Sequence, residues 1–270
     1  MGDEKTDLLE KLPHGFRQKF TQEILSRTTP ADVVRLSLVS KSFQSSANSD
    51  VVWDRFTPPD HRKPVLDRFY DYTFESSKEI YFFLCANSAE RWGDPTSFFL
   101  DKWSAKMCVK ITHKKLAITQ LETDYWKHST YGYPVLGHVH WLEVHGKVPT
   151  SRLSPDTAYE AYLVFTLSDY VCYGFHIPIE ASVGIPGEES TKEMIYLDPG
   201  MANSKSNHHY PNTKPRESDS YIEVKLGEYF NNKGENRDVE ITLREVESGR
   251  PKCGVHIIGM EMRPKHNIIL

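Results

Sequence analysis

The chain has 270 residues, a formal net charge of −4, 39% hydrophobic residues and 26% charged residues. That length carries a small module plus one domain with a sizeable core. The weakly acidic balance gives no electrostatic reason to expect nucleic acid, and no stretch approaches the roughly 20 apolar residues of a membrane helix, so neither partner is expected.

The N-terminal MGDEKTDLLEK is charged and lacks an apolar signal core, so secretion is not expected. Met1-Gly2 with Thr6 has the register of a myristoylation site, but Asp3, Glu4 and the lack of a basic cluster argue against anchoring. Further along, Phe16, Phe20 and Ile24 are spaced by four and form an apolar helical stripe.

The stretch Thr29–Phe56 organises the first part of the chain. Pro30 and Asp32 are helix-start residues, and Val33, Leu36 and Val39 follow at helical spacing with Phe43 one turn on. Ser45, Ser46, Asn48 and Ser49 break the pattern, and Asp50 is placed to cap a second short helix carrying Val52, Trp53 and Phe56. Two helices this short cannot bury their stripes against each other alone and need a third element or a partner.

Pro58 to Lys63 is Pro- and charge-rich and marks a boundary; Ser76-Ser77-x-Glu79 opens a short amphipathic helix over Ile80–Leu84, and Gly93-Asp94-Pro95 is a turn. From about Ser97 the apolar period changes to two. Residues 171–183 read as one long half-buried strand, at an edge because of Pro178. Alternation also marks strands at Ile222–Leu226, Val239–Leu243 and Val255–Ile258, while Ala158–Leu167 is apolar on both parities, as in a central strand. Strands without crossover helices pair antiparallel, so this half is a sandwich or jelly roll. Gly184–Ser220 is rich in Gly, Pro, Ser, Asn, Lys and His and reads as a long functional or mobile loop.

Cys85, Cys108, Cys172 and Cys253 form no C-x-x-C and read as reduced core residues. His138 and His140 share one strand face while Glu143 and His145 have the opposite parity, so the four do not converge on a metal, and neither metal nor cofactor is expected. Asp238 and Glu245 lie at opposite ends of one strand run, too far apart for glycoside hydrolysis, and no Ser or Cys nucleophile motif is present, so no catalytic residue is assigned. Glu245 shares the parity of the inward residues Val239, Ile241 and Leu243. An inward carboxylate needs a partner, unless the strand simply ends there.

Leu12-Pro13, Ile24-Leu25, Pro30, Asp32-Val33, Arg35-Leu36, Leu38-Val39-Ser40, Phe43 and Val52-Trp53 resemble an F-box. The resemblance implies a helical module that docks onto the Skp adaptor of a cullin–RING ubiquitin ligase, with Pro13, Ile24, Leu25, Pro30, Leu36 and Val39 at adaptor-facing or supporting positions. The segment HGFRQKFTQE makes the spacing from Leu-Pro to Ile-Leu about one turn longer than the usual two.

The strand half resembles the phloem protein 2 lectins of plants, also called Nictaba-like. The resemblance is carried by FFLDKWSAKMCVKI, LAIT, Tyr125-Trp126, HWLEVHGKV, LSPDTAYEAYLVFTL, YIEVKLGEYFNNKGENRDVEITLREV and SGRPKCGVHIIGMEMRPK. It implies a sugar site of two aromatic and two acidic positions. These fall at Gln120, where the family has Trp, and at Trp126, Asp238 and Glu245. For Trp126 core packing is an equal reading. The combination implies an α+β chain: an F-box module over 8–57, a linker with a short helix over 58–96, and a jelly-roll-like lectin β-sandwich over 97–265 that contains the loop 184–220. The function implied is a non-catalytic substrate receptor, cytoplasmic or nuclear, that binds a glycan or glycoprotein. A lectin acting outside any ligase, and a receptor for a protein surface with its sugar site lost, are the alternatives.

Overall fold

The computed structural model describes residues 13–86, 96–198, 213–215 and 221–266. Leu12, half of the Leu-Pro pair, lies outside them, as do 199–212 and 216–220 of the expected loop. The chain divides into two compact units, Met1–Ala89 with Phe99–Lys106, and Glu90–Phe98 with Met107–Leu270.

The first unit holds α1 (His14–Leu25), α2 (Pro30–Leu36), α3 (Lys41–Ala47), α4 (Asp50–Phe56), α5 (Pro59–Arg68) and α6 (Ser77–Ala86). Pro30 opens α2, and the Thr29 hydroxyl accepts the Asp32 amide at 3.2 Å. The single helix expected through Phe43 is instead two. Ser37 Oγ donates to the Val34 carbonyl at 2.6 Å, and Ser40 Oγ accepts the Phe43 amide at 3.3 Å and starts α3. Asp50 does not cap α4; its carboxylate accepts the Ser77 amide at 2.7 Å and so anchors α6. Ser76 Oγ accepts the Glu79 amide as expected of the cap, while the Glu79 carboxylate accepts from the Glu75 amide, one residue earlier than in a reciprocal pair.

The third element that the short helices need comes from within the chain. Leu25, Val33, Val52, Trp53 and Tyr81 are buried, and the Trp53 ring lies 5.2 Å from that of Tyr81 on α6. Trp53 Nε1 donates to the Ala47 carbonyl at 2.6 Å, which satisfies the indole inside this core. Residues 59–86, expected as linker, thus carry two helices of the first unit. The apolar face of Ile80, Tyr81 and Leu84 is what recruits α6.

The strands are β1 (Thr96–Leu100), β2 (Met107–Thr112), β3 (Ala117–Ile118), β4 (Trp126–His128), β5 (Pro134–Leu136), β6 (Leu142–Pro149), β7 (Thr157–Leu167), β8 (Ile179–Gly184), β9 (Thr191–Ile195), β10 (Thr213–Pro215), β11 (Ile222–Asn231), β12 (Asp238–Glu245) and β13 (Val255–Pro264). One sheet runs β1-β2-β13-β7-β11-β10, with β5 also on β13 and β4 on β5; the other runs β3-β6-β12-β8-β9. The pairings among strands β2 to β13 in the two sheets are all antiparallel. Inward residues of both sheets merge into one core, among them Tyr159, Leu163, Met260, Val144, Ile241 and Ala181. β7 is central, between β13 and β11, as its two-faced apolar run requires.

Two expectations are corrected. Residues 171–183 are not one strand: only Ile179–Gly184 pairs along its length, and Tyr173 makes an isolated bridge to Cys253. Gly174 breaks the run at φ +90°, where a Cβ would stand 2.4 Å from the Pro251 carbonyl oxygen. The loop expected over 184–220 instead starts with a hairpin, β9 folding back on β8 with Ile179 opposite Ile195.

Candidate functional site

The outward face of the five-stranded sheet is a polar surface in register. Thr119, Glu143, Arg244, Glu180 and Met194 form one row across it, and Ala117, His145, Thr242, Ser182 and Lys192 form the next. Signs alternate along the first row. Glu143 accepts from the Thr119 hydroxyl at 3.0 Å and lies 3.4 Å from Arg244 Nε, and Lys192 reaches Glu180 at 3.4 Å.

At one end of this face is a pocket of about 370 Å³. Its apolar walls are Ile177, Pro178, Met194 and Val246. Its polar lining is Glu180, Arg244, Glu245, Glu247 and Ser248. Glu245 is 7% exposed, and its carboxylate accepts the Ser248 amide at 2.8 Å and meets the ammonium of Lys252, a fully buried side chain. Burial pushes the Glu245 carboxyl up, but Lys252 and Ser248 outweigh it and hold it below the usual carboxylate range. Lys252 Nζ also donates to the Arg250 carbonyl at 2.9 Å, and His140 Nδ1 pairs with the Gly249 carbonyl at 2.8 Å. These contacts hold the turn after β12, whose Val246, Glu247 and Ser248 line the pocket.

The four expected sugar positions separate. Trp126 is 6% exposed; its ring belongs to the core and its Nε1 donates to the Thr119 carbonyl at 3.1 Å. The ring that reaches solvent there is Tyr125, 45% exposed, which meets the half-buried Trp141 edge-on at 5.1 Å. Gln120 is exposed in the same loop, at φ +58°. Glu245 shares that end of the sheet, two strands over and about 10 Å across. Asp238 starts the eight-residue strand that Glu245 ends, so the two are about 23 Å apart. Sequence reasoning missed Tyr125 and Arg244. The strand parity of Arg244, opposite to that of Leu243 and Glu245, was the signal for the second.

His138 and His140 lie in the loop before β6, bonded to Tyr173 and Gly249, while Glu143 and His145 are on the sheet face. Among the described residues no group of three His, Cys, Asp or Glu side chains could hold a metal ion.

On the helical unit, the expected adaptor positions divide by exposure. Leu25 and Pro30 are buried; Pro13 and Ile24 are exposed, Leu36 is half-buried, and Val39 is 69% exposed. Leu38 is 84% exposed, and Phe16 and Phe20 on α1 are exposed as well.

The family model described as Phloem protein 2 matches residues 106–264, and the F-box-like model matches residues 19–58. The chain belongs to the phloem protein 2 family. This phloem protein 2 chain is 36% identical over 252 residues to F-box protein At2g02240 of Arabidopsis thaliana, covering 89% of itself and 77% of that protein. It is 35% identical over 251 residues to F-box protein PP2-B10 of the same plant, covering 89% of itself and 90% of the relative. Among solved structures, the xylan-binding module CBM86 of Roseburia intestinalis aligns with a TM-score of 0.29 at 13% identity, covering 58% of this chain and 96% of that one. The CBM22-1–GH10 modules of xylanase 10B from Clostridium thermocellum, complexed with xylohexaose, align at 0.29 and 11% identity, covering 59% and 28%. Those two likenesses are too distant to carry function.

Proposed function

We propose that this phloem protein 2 chain is the substrate-recognition subunit of a Skp–cullin–F-box ubiquitin ligase, working in the cytoplasm or nucleus, and that its sandwich binds a glycan or glycoprotein. The observation that carries the reading is the exposure of the apolar side chains Ile24, Leu38 and Val39 on an F-box-like module, in a chain whose other compact unit carries the phloem protein 2 strands. Catalysis belongs to other subunits; this chain supplies proximity between target and ubiquitin donor. The sugar site is assigned to the end of the five-stranded sheet where Gln120, Tyr125 and Glu245 lie; Trp126 belongs to the core there, and Asp238 stands at the far end of β12.

Copurification of the full chain with a Skp-type adaptor tests the first half. Val39→Asp, at an exposed position, abolishes it, and absence of wild-type binding at micromolar adaptor refutes the ligase reading in favour of a lectin acting outside a ligase. A glycan array tests the second half. The burial of Trp126 and the absence of an aromatic ring at position 120 favour, as a second reading, a receptor for a protein surface; an array on which wild-type protein binds no saccharide supports it.

A further inference from the structure

We propose that the pocket beside β8, β9 and β12 is a neutral-saccharide subsite read by Arg244 and Glu180, with Glu245 and Lys252 holding its wall rather than touching the sugar. The inference rests on the glycan reading above and assigns it residues that the family pattern does not contain.

The first step is what Glu245 has left to give. One of its carboxylate oxygens accepts the Ser248 amide and the other faces the Lys252 ammonium, while the side chain is almost fully covered. Oε2 is closed to solvent, so a hydroxyl arriving from the pocket reaches that oxygen only by displacing the Lys252 ammonium. The Glu245–Lys252 pair, the Lys252 bond to the Arg250 carbonyl and the His140 bond to the Gly249 carbonyl together fix the 246–251 turn. A wall fixed in advance lowers the ordering cost of binding.

The second step is what faces the pocket with capacity to spare. Arg244 is half exposed, and among the described residues its one ionic contact is Nε to Glu143 at 3.4 Å, which leaves the Nη groups without an ionic partner there. Glu180 stands directly opposite Arg244 in register, 44% exposed, with a single long contact to Lys192. A guanidinium and a carboxylate side by side match a vicinal diol, whose hydroxyls both accept and donate. Ile177, Pro178, Met194 and Val246 offer aliphatic surface to the C–H side of a ring.

The third step is charge. Of the charged residues that line the pocket, Arg244 stands against Glu180, Glu245 and Glu247, and Lys252 neutralises Glu245, so the lining is one negative charge in excess. That disfavours an acidic sugar and suits a neutral one.

The test probes the full chain on an array of neutral and uronic-acid-containing oligosaccharides, then titrates the best neutral binder. Arg244→Met and Glu180→Gln, both at half-exposed positions that the fold does not need, each weaken it about tenfold or more, while Glu245→Gln weakens it less. Retained affinity in both Arg244→Met and Glu180→Gln, with loss in Tyr125→Ala, overturns the pocket and leaves the glycan reading standing. Binding of uronic-acid sugars alone, or of a basic peptide displaced by neither sugar, also overturns it. No saccharide bound by wild-type protein overturns both.

Discussion

Lys252 pairs with Glu245 across the turn that joins β12 to β13, and neither side chain reaches the surface by more than a few per cent. Strand parity turns Glu245 inward with Val239 and Leu243, and a carboxylate there requires a counter-charge. Seven positions on, Lys252 supplies it, held by the backbone bridge between Val139 and Lys252.

Removing one member strands the other. Lys252→Met lowers the unfolding free energy by about 3–5 kcal/mol, because Glu245 is left charged and buried. The double variant Lys252→Met/Glu245→Leu recovers most of that loss. Guanidinium unfolding followed by tryptophan fluorescence measures both; a double variant no more stable than the single shows that the pair is not the source.

Acid acts on the sandwich in two stages. Burial, aided by Lys114 at His113, holds His113 and His256 below the ordinary imidazole range, with Asp169 only partly opposing this at His256. The unfolded chain therefore takes up protons first as pH falls through about 6.5, and stability is lost from there downward. The depressed Glu245 contributes stability above its unfolded value of about 4.3 and loses it as pH falls through the lower folded value. Melting temperature is flat from pH 8 to 7, falls below about 6.5, and falls again below about 4.3. A melting temperature higher at pH 5.5 than at 7.5 contradicts the assignment, and His256→Gln shrinks the first fall.

In the helical unit, stability and docking separate by residue. Trp53 is fully buried against Phe56 and Tyr81, so Trp53→Ala costs about 3–5 kcal/mol. Leu38→Ala, at a position 84% exposed, changes the melt by less than about 0.5 kcal/mol yet weakens adaptor copurification. Circular dichroism melts beside pull-downs of both variants check this; loss of adaptor binding with equal loss of fold in Leu38→Ala refutes it.

The legible parts of the chain are those where one period dominates. Ala158–Leu167 has apolar residues on both parities and occupies the middle of its sheet, and Val239–Leu243 alternates cleanly on β12. Alternation misled at 171–183, where it continues through Gly174 although the backbone there is left-handed and packed against Pro251. α5 was hidden because PDHRKPVLDR has no clear apolar stripe, and Pro59, which reads as a breaker, opens the helix instead. At the site, the resemblance named Gln120, Trp126 and Glu245 without placing them at one end of the sheet, and it left open which of Tyr125 and Trp126 faces out. Adjacent aromatics in a loop have no period to decide that; the indole bond to the Thr119 carbonyl does.

That choice gives a direct test. Trp126→Phe keeps an aromatic ring in the core and loses the bond from Nε1 to Thr119, a cost of about 1 kcal/mol in stability, and it leaves saccharide affinity unchanged. Tyr125→Ala gives up one edge-on contact with Trp141, worth about 1 kcal/mol, and removes the exposed ring, so saccharide affinity falls. Thermal melts and titration with the best array binder measure the two effects on the same samples. If Trp126→Phe loses binding while Tyr125→Ala keeps it, the indole reaches the sugar and the loop from Thr119 to Trp126 must open to let it through.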